Sequence, residues 1–147
     1  MKGMRKRQGF TLIEIMVAFG VGLIVFGVVA IISINFVKNR ELEVVSETLV
    51  SYLRAAEQRA LASEGNTNHG VSGSNGKLTL FRGVDYQHKD ASYDTTLPYP
   101  SYITVTGIGD VVFSKQTGAP SVSGVITVGN GIRSVPITVY STGAISQ

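Results

Sequence analysis

The sequence predicts an α+β protein in which a long N-terminal helix, apolar in its first half and amphipathic in its second, packs on an antiparallel β-sheet head. Three observations give this prediction. Residues 15–37 carry no charge, apolar residues then recur at spacings of three and four, and short alternating runs separated by glycine turns follow Gly65. We therefore divide the chain into four segments, 1–9, 10–37, 38–64 and 65–147.

The uncharged run has the length of a membrane span. As a helix, residues 15–37 would cover about 35 Å, enough for the ~30 Å hydrocarbon core of a bilayer. The basic residues Lys2, Arg5, Lys6 and Arg7 precede it, and this charge bias predicts a cytoplasmic N-terminus and an exported body. A removable secretory signal peptide is the alternative, but its apolar region is shorter, about 7 to 15 residues.

Glu14 places a carboxylate at the start of this apolar run. An acid within a bilayer is costly, so it indicates a functional role with a specific partner. Alternatively, Glu14 lies in the first helical turns, reaches the interface and is stabilised by the positive end of the helix. The chemistry of the residue leaves both interpretations open.

The residues around Glu14 resemble the class III signal sequence of type IV pilins and type II secretion pseudopilins. Gly9 is followed by Phe10-Thr11-Leu12-Ile13-Glu14, with a short cationic leader before it and the apolar run after it. The resemblance implies the pilin fold, cleavage of the leader between Gly9 and Phe10 by a prepilin peptidase, and N-methylation of Phe10. It also implies that Glu14 pairs with the N-terminal amine of a neighbouring subunit, carried by Phe10. Such a pair in apolar surroundings would select the axial register of the subunits.

Glycines within the apolar run are candidates for helix flexibility. Many members of this family carry a proline further along the mature helix, where this chain has Ile31. Gly20, Gly22 and Gly27 would soften the helix instead, because glycine costs about 1 kcal/mol in a helix interior. Close helix packing is the alternative, since Ala18 and Gly22 form a small-xxx-small pair.

The amphipathic half and the head follow from periodicity. The stripe of apolar residues comprises Leu42, Val45, Leu49, Leu53, Ala56 and Ala60, and Gly65 is the expected C-cap. Alternation predicts strands at 69–72, 77–82, 102–106, 111–114, 122–128 and 132–140. Pro136 lacks a backbone donor, so the last strand should lie at an edge or direct that position outward. These β patterns with glycine turns resemble the head of the small pseudopilin H type.

The sequence offers no catalytic, metal or cofactor site. It has no cysteine, and no acidic side chain follows Ser114. The loop 83–101 holds Asp85, His88, Asp90 and Asp94, but their spacing does not fit a calcium loop, so a solvated loop is expected. Its tyrosines should pack on the head itself rather than on a partner. The remaining histidine, His69, is expected to be structural or exposed.

The charge of the body argues against nucleic acid as a partner. From Lys38 onward the chain carries nine basic residues and nine acidic ones. A neutral body lacks the basic footprint that phosphate backbones require, so a DNA-receptor role is disfavoured.

Together, the resemblance and these patterns predict a structural subunit, a major or core pilin of a type IV pilus or a related filament. The expected partners are further copies of the chain, a prepilin peptidase, an inner-membrane assembly platform and, before assembly, membrane lipid. The chain would lie in the inner membrane first and in an extracellular pilus or periplasmic pseudopilus later. The alternatives are a minor pilin or pseudopilin of a secretion or DNA-uptake machine and a membrane-anchored binding module that never polymerises. Motility, adhesion, DNA uptake and secretion are all compatible tasks.

Overall fold

The computed structural model describes the backbone of residues 10–147 and the side chains of 10–29 and 33–147. The predicted leader, with Gly9, lies outside the described residues. The described chain forms two compact units, one ending at Val37 and the other running from Lys38 to Gln147. One helix, α1 (Leu12–Leu61), contributes to both units.

The first half of α1 is apolar on all sides. An 18-residue window of this helix has a mean hydropathy of 2.9, and none of that window is buried. By length and composition this helix can cross a membrane. Such a surface is unfavourable in water, because each fully exposed large apolar side chain forgoes roughly 1.5–3 kcal/mol of burial free energy.

The second half of α1 carries the predicted apolar stripe, and every member of that stripe is buried. The exposed fraction is at most 4% from Leu42 to Ala60 along the stripe. Ser46 is also buried between stripe residues, where its hydroxyl donates to the carbonyl oxygen of Leu42 at 2.7 Å. One face of this half therefore packs against the head, as the spacing of its apolar residues predicted.

The helix ends earlier than its expected C-cap. Leu61 is its last residue, and Ser63 adopts a left-handed conformation with φ of 52°. The N–H of Gln116, from a distant loop, donates to the carbonyl oxygen of Ala60 at 2.9 Å. Tertiary contact thus caps the helix terminus. Gly65 lies in the following 3-10 turn, where an added Cβ would approach the Arg82 guanidinium to 2.8 Å.

The described head contains two four-stranded antiparallel sheets. The strands are β1 (His69–Ser72), β2 (Lys77–Arg82), β3 (Thr95–Pro98), β4 (Thr104–Gly107), β5 (Val111–Phe113), β6 (Gly124–Gly129), β7 (Ser134–Val139) and β8 (Ile145–Ser146). The first sheet has the order β3-β2-β1-β5, and the second has the order β4-β6-β7-β8. Both sheets contribute to one core with the stripe of α1; Leu78, Phe113, Val128 and Ile137 are fully buried in it. The α+β prediction is confirmed.

Two strands were not predicted from the sequence. Strand β3 lies in the stretch interpreted as a loop, and it pairs with β2, with Leu97 opposite Leu78. Strand β8 is two residues long and pairs only with the end of β7. Neither stretch shows the alternation of apolar and polar residues from which strands are predicted. Each forms a strand because it pairs with a neighbouring strand.

The expectation for Pro136 is confirmed. It lies opposite Thr127 of β6 and is exposed. On its other side β7 meets β8 only at Thr138 and Val139. The missing donor of Pro136 therefore interrupts no ladder on that side.

The turn between β6 and β7 is fastened to α1 by one buried amide. Asn130 is 4% exposed. Its oxygen accepts from the N–H groups of Ile132 (3.0 Å) and Arg133 (2.8 Å), and its nitrogen donates to the carbonyl oxygen of Lys38 (3.1 Å) and to Oδ1 of Asn39 (3.0 Å). The sequence indicated a turn at 129–131 but not this connection to the helix.

We predict that Asn130→Asp lowers the free energy of unfolding of the head by about 1–3 kcal/mol. An aspartate keeps the hydrogen bonds accepted from Ile132 and Arg133, but it has no N–H group to donate to Lys38 and Asn39. Its negative charge would also lie next to the two oxygens that accepted those bonds. Denaturant unfolding of the full chain in detergent, followed by near-ultraviolet circular dichroism, measures this, because all six tyrosines lie in the unit from Lys38 to Gln147.

Asn75→Asp is the matched control. Asn75 is likewise a turn residue, but it is exposed, so its substitution should change the free energy of unfolding by no more than about 0.5 kcal/mol. Equal unfolding curves for the two variants would contradict the role of Asn130.

Candidate functional site

The start of α1 is fixed by Thr11. The hydroxyl oxygen of Thr11 accepts from the N–H of Glu14 at 3.3 Å, and its carbonyl oxygen accepts from the N–H of Ile15 at 3.2 Å. Thr11 is therefore the N-cap. Thr11-Leu12-Ile13-Glu14 has the T-x-x-E spacing of a capping box, a sequence signal that predicts a helix start at this position. Only the threonine half of that box is formed among the described residues.

Glu14 is exposed, in the first turn of α1. Within residues 10–147 its carboxylate makes no hydrogen bond and no salt bridge, since Glu14 bonds only through its backbone N–H. The positive end of the helix favours an anion there by a few tenths of a kcal/mol up to about 1 kcal/mol. A cation from outside the described chain would supply the larger interaction that an anion in apolar surroundings requires.

Large apolar side chains surround this carboxylate. Phe10 and Leu12 are 78% and 80% exposed, and the exposed set continues through Phe19, Leu23, Phe26 and Phe36. This is far more contiguous apolar surface than a soluble monomer presents, so it must be covered by lipid or by other helices. The apolar half of α1 therefore presents apolar side chains on all sides, and the carboxylate at its start has no partner within residues 10–147.

The glycines of the apolar half do not pack against their own chain. An added Cβ at Gly20, Gly22 or Gly27 would meet nothing within 4 Å. Gly22 also lines a shallow apolar concavity of about 320 Å³ with Ala18, Phe19 and Leu23. Internal packing therefore does not explain these glycines, and Gly22 offers space for another group to approach the helix closely.

The acidic groups of the loop after β2 bond to their own neighbourhood. Asp85 accepts from the backbone N–H groups of Gln87 and His88 and contacts the His88 ring at 2.9 Å. The hydrogen bonds from His88 hold the pKa of Asp85 below its usual value. Asp90 contacts Arg82 at 2.9 Å, and Asp94 pairs with Lys89. These carboxylates thus point to separate partners and do not converge on a common centre.

The tyrosines of this region contact the head itself, as predicted. Tyr86 packs edge-on against Phe81 with ring centroids 5.5 Å apart. The Tyr99 hydroxyl donates to the carbonyl oxygen of Gly73 at 2.7 Å, and burial raises the pKa of Tyr99. The Arg82 guanidinium lies 3.4 Å from the centre of the Tyr93 ring. The loop is solvated on its outer side but anchored by these contacts.

Comparison with known proteins gives a match at the N-terminal end of the chain. A family model described as the prokaryotic N-terminal methylation motif matches residues 4–34. Neither curated proteins nor solved structures gave a match. The matched segment covers Gly9, Phe10, Glu14 and the three glycines.

His69 is a buried histidine on β1, 1% exposed, and its Nδ1 has no hydrogen-bond partner in the described chain. Burial lowers its pKa below the ordinary 6.5; the Glu64 carboxylate opposes this, and Arg59 and Arg82 add to it. Of the two expectations for this residue, exposure is wrong, and the structural role stays a prediction.

We predict that His69 makes the head less stable in mild acid. The unfolded chain takes up a proton near pH 6.5, whereas the folded chain takes it up only at lower pH. Neutral His69 therefore contributes its full share to the free energy of unfolding above pH 6.5. This share is lost as the pH falls from 6.5 toward the pKa of the folded chain, and the loss is about 1.4 kcal/mol for each pH unit between the unfolded and folded pKa values. Unfolding free energies measured across this window should decrease with acid.

His69→Gln should remove this slope, because glutamine does not titrate. His88→Gln is the matched control and should retain it, since His88 is exposed. A slope that persists in the His69 variant and vanishes in the His88 variant would contradict the assignment.

Proposed function

We propose that this chain is a structural subunit, a major or core pilin, of a type IV pilus or a related pilus-like filament. The methylation motif at residues 4–34 supports a type IV pilin-like or pseudopilin protein, and the long helix with its antiparallel head is consistent with the pilin fold. The observation that carries the proposal is the carboxylate of Glu14, which has no partner among residues 10–147 and lies in a helix whose apolar side chains are exposed.

Maturation is the first proposed step. A prepilin peptidase cleaves between Gly9 and Phe10, and the new N-terminus at Phe10 is methylated. The start of α1 supports this site, because Phe10 and Thr11 precede the helix. Cleavage there would remove the cationic leader ahead of Leu12, the first residue of α1, and retain the apolar helix.

The intact mass of the protein from membranes or sheared filaments tests maturation. We expect a chain that begins at Phe10 and carries one additional methyl group. A chain that begins at Met1 would contradict processing, and a chain that begins after the apolar run would indicate an ordinary secreted domain.

Before assembly, we propose, the apolar half of α1 crosses the inner membrane with its N-terminus in the cytoplasm. The basic residues of the leader favour this orientation before they are removed. An inner-membrane assembly platform then transfers the subunit from lipid into the filament. Lipid tails and neighbouring helices offer similar apolar surroundings, so transfer requires a more specific interaction than burial alone.

Glu14 supplies that interaction in our proposal. The amine at Phe10 of one subunit pairs with the Glu14 carboxylate of another, inside the apolar bundle. Opposite charges about 4 Å apart attract by roughly 4 kcal/mol at an effective dielectric of about 20, and a register that leaves either charge alone is penalised. The pair therefore selects one axial offset between successive subunits.

We predict that Glu14→Gln reduces the yield of sheared filaments at least about tenfold, because losing even a third of such an attraction changes an equilibrium by that factor. The amount of mature protein in the membrane should stay unchanged. Filaments are measured by shearing and electron microscopy, and the membrane pool by immunoblot.

Glu47→Gln is the matched control. It removes an exposed carboxylate from the head half of α1 and should leave the filament yield at the wild-type value. Filaments of normal yield and order from the Glu14 variant would contradict the proposed assembly mechanism.

We propose two roles for the glycines of the apolar half. Gly22 lines the concavity with Ala18 and permits a neighbouring helix to approach closely. Gly20 and Gly27 lower the stability of the helix in this part of the apolar half. A methyl group fits at all three positions in the single chain.

Gly22→Leu should therefore lower filament yield more than Gly20→Leu or Gly27→Leu, because only Gly22 lines the concavity. Single alanine variants at Gly20 and Gly27 should make the helix more stable by up to about 1 kcal/mol each, measured by circular dichroism in detergent. Equal filament yields from the three leucine variants would contradict a packing role for Gly22.

A DNA-receptor role has less support. Several cations of the described head are already paired, Arg59 with Glu64, Arg82 with Asp90 and Lys89 with Asp94. Binding a phosphate backbone would require these cations to leave their carboxylates.

A further inference from the structure

We infer that the turn between β6 and β7 forms a lipid-contacting foot, which rests on phospholipid head groups while the chain is anchored in the membrane. The foot is defined here as Lys38, Asn130, Ile132 and Arg133. The inference rests on the proposed membrane span and concerns the chain before assembly.

The position of the foot follows from hydrogen bonds within the head. Lys38 directly follows the uncharged run, so it lies where the chain leaves the hydrocarbon. The Asn130 side chain donates to the carbonyl oxygen of Lys38 and accepts from the N–H groups of Ile132 and Arg133. One side chain therefore connects the exit point of the span to the tip of the hairpin.

The tip presents the groups that suit a membrane interface. Ile132 is 58% exposed, although an apolar side chain at a hairpin tip gains nothing from water. Arg133 lines a shallow concavity of about 270 Å³ with Thr104, Thr127, Gly129 and Ser134. A guanidinium beside hydroxyl groups is a suitable site for a phosphate group.

Tyr102 adds a second interfacial group. The Lys38 ammonium lies 5.3 Å from the centre of the Tyr102 ring. Tyrosine is enriched where membrane meets water, because its ring is apolar and its hydroxyl is polar.

The charges of this region leave the cations available. Glu43 lies 4.0 Å from Arg40, and one carboxylate oxygen of Glu41 is buried, away from solvent. Arg133 forms no salt bridge within the described residues. Lys38 and Arg133 are thus available to an anionic lipid surface. Each cation there increases the membrane-binding constant about fivefold.

Phospholipid fits this surface better than a second copy of the chain. The foot is adjacent in sequence to the membrane-spanning run, and its free charge is positive, which matches anionic head groups and opposes an identical positive patch.

Spin labels on the full chain test the inference. The chain has no cysteine, so Ile132→Cys and Val84→Cys each create one labelling position. Val84 is the matched control, 61% exposed against 58% for Ile132. It lies with Gly65 and Thr67, beyond the opposite end of the head half of α1. Both variants are reconstituted in vesicles of phosphatidylcholine with phosphatidylglycerol, and in phosphatidylcholine alone.

We expect the label at 132 to be about threefold less accessible to a water-soluble nickel quencher than the label at 84. Arg133→Gln should reduce that protection in the anionic vesicles and have little effect in the neutral ones. If the labels at 132 and 84 are equally accessible to the quencher and the chain resists carbonate extraction, the lipid-contacting foot is overturned while the membrane span stands.

Two other outcomes also overturn the inference. Protection that appears in detergent and rises with protein concentration would assign this surface to a second copy of the chain. Extraction of the chain by carbonate would overturn the membrane span, and the foot with it.

Discussion

Burial of one face of α1 holds the head together. The stripe from Leu42 to Ala60 forms one core with residues of both sheets, and among the described residues no other helix is comparable in length to α1. Burying four of these side chains, Leu42, Val45, Leu49 and Leu53, contributes roughly 1.5–3 kcal/mol each. The stripe shares one core with both sheets, so the amphipathic half of α1 is part of the structure of the head as well as a continuation of the apolar half.

The same helix changes its surroundings along its length. Its first half is apolar on all sides and exposed, whereas its second half buries one stripe and presents charges elsewhere. No single solvent satisfies both halves. A membrane or a bundle of helices satisfies the first, and water satisfies the exposed side of the second. Burial of the first half would remove the Glu14 carboxylate from water, and we therefore propose for it a role in recognition between subunits rather than in stability.

Tertiary contacts reinforce the head at both ends of its helical segment. Asn130 connects the β6–β7 turn to the first helical residues of the head, and Gln116 caps the last turn through Ala60. The helical segment of the head is therefore held at its start and its end by loops distant in sequence. This arrangement gives the turn a defined position next to the residue that leaves the apolar run, and the inference of a lipid-contacting foot depends on it.

Local patterns in the sequence determined much of this protein. The uncharged run, the stripe of α1 and the first hairpin follow from periodicity and turn residues, because their formation depends on neighbours a few positions away. The motif at Gly9, Phe10 and Glu14 is equally local. Only the tertiary structure decided the division into two sheets, the strands β3 and β8, the burial of His69 and the connection made by Asn130. Each of these depends on a partner distant in sequence, and hydrophobic periodicity does not specify which distant segment supplies it.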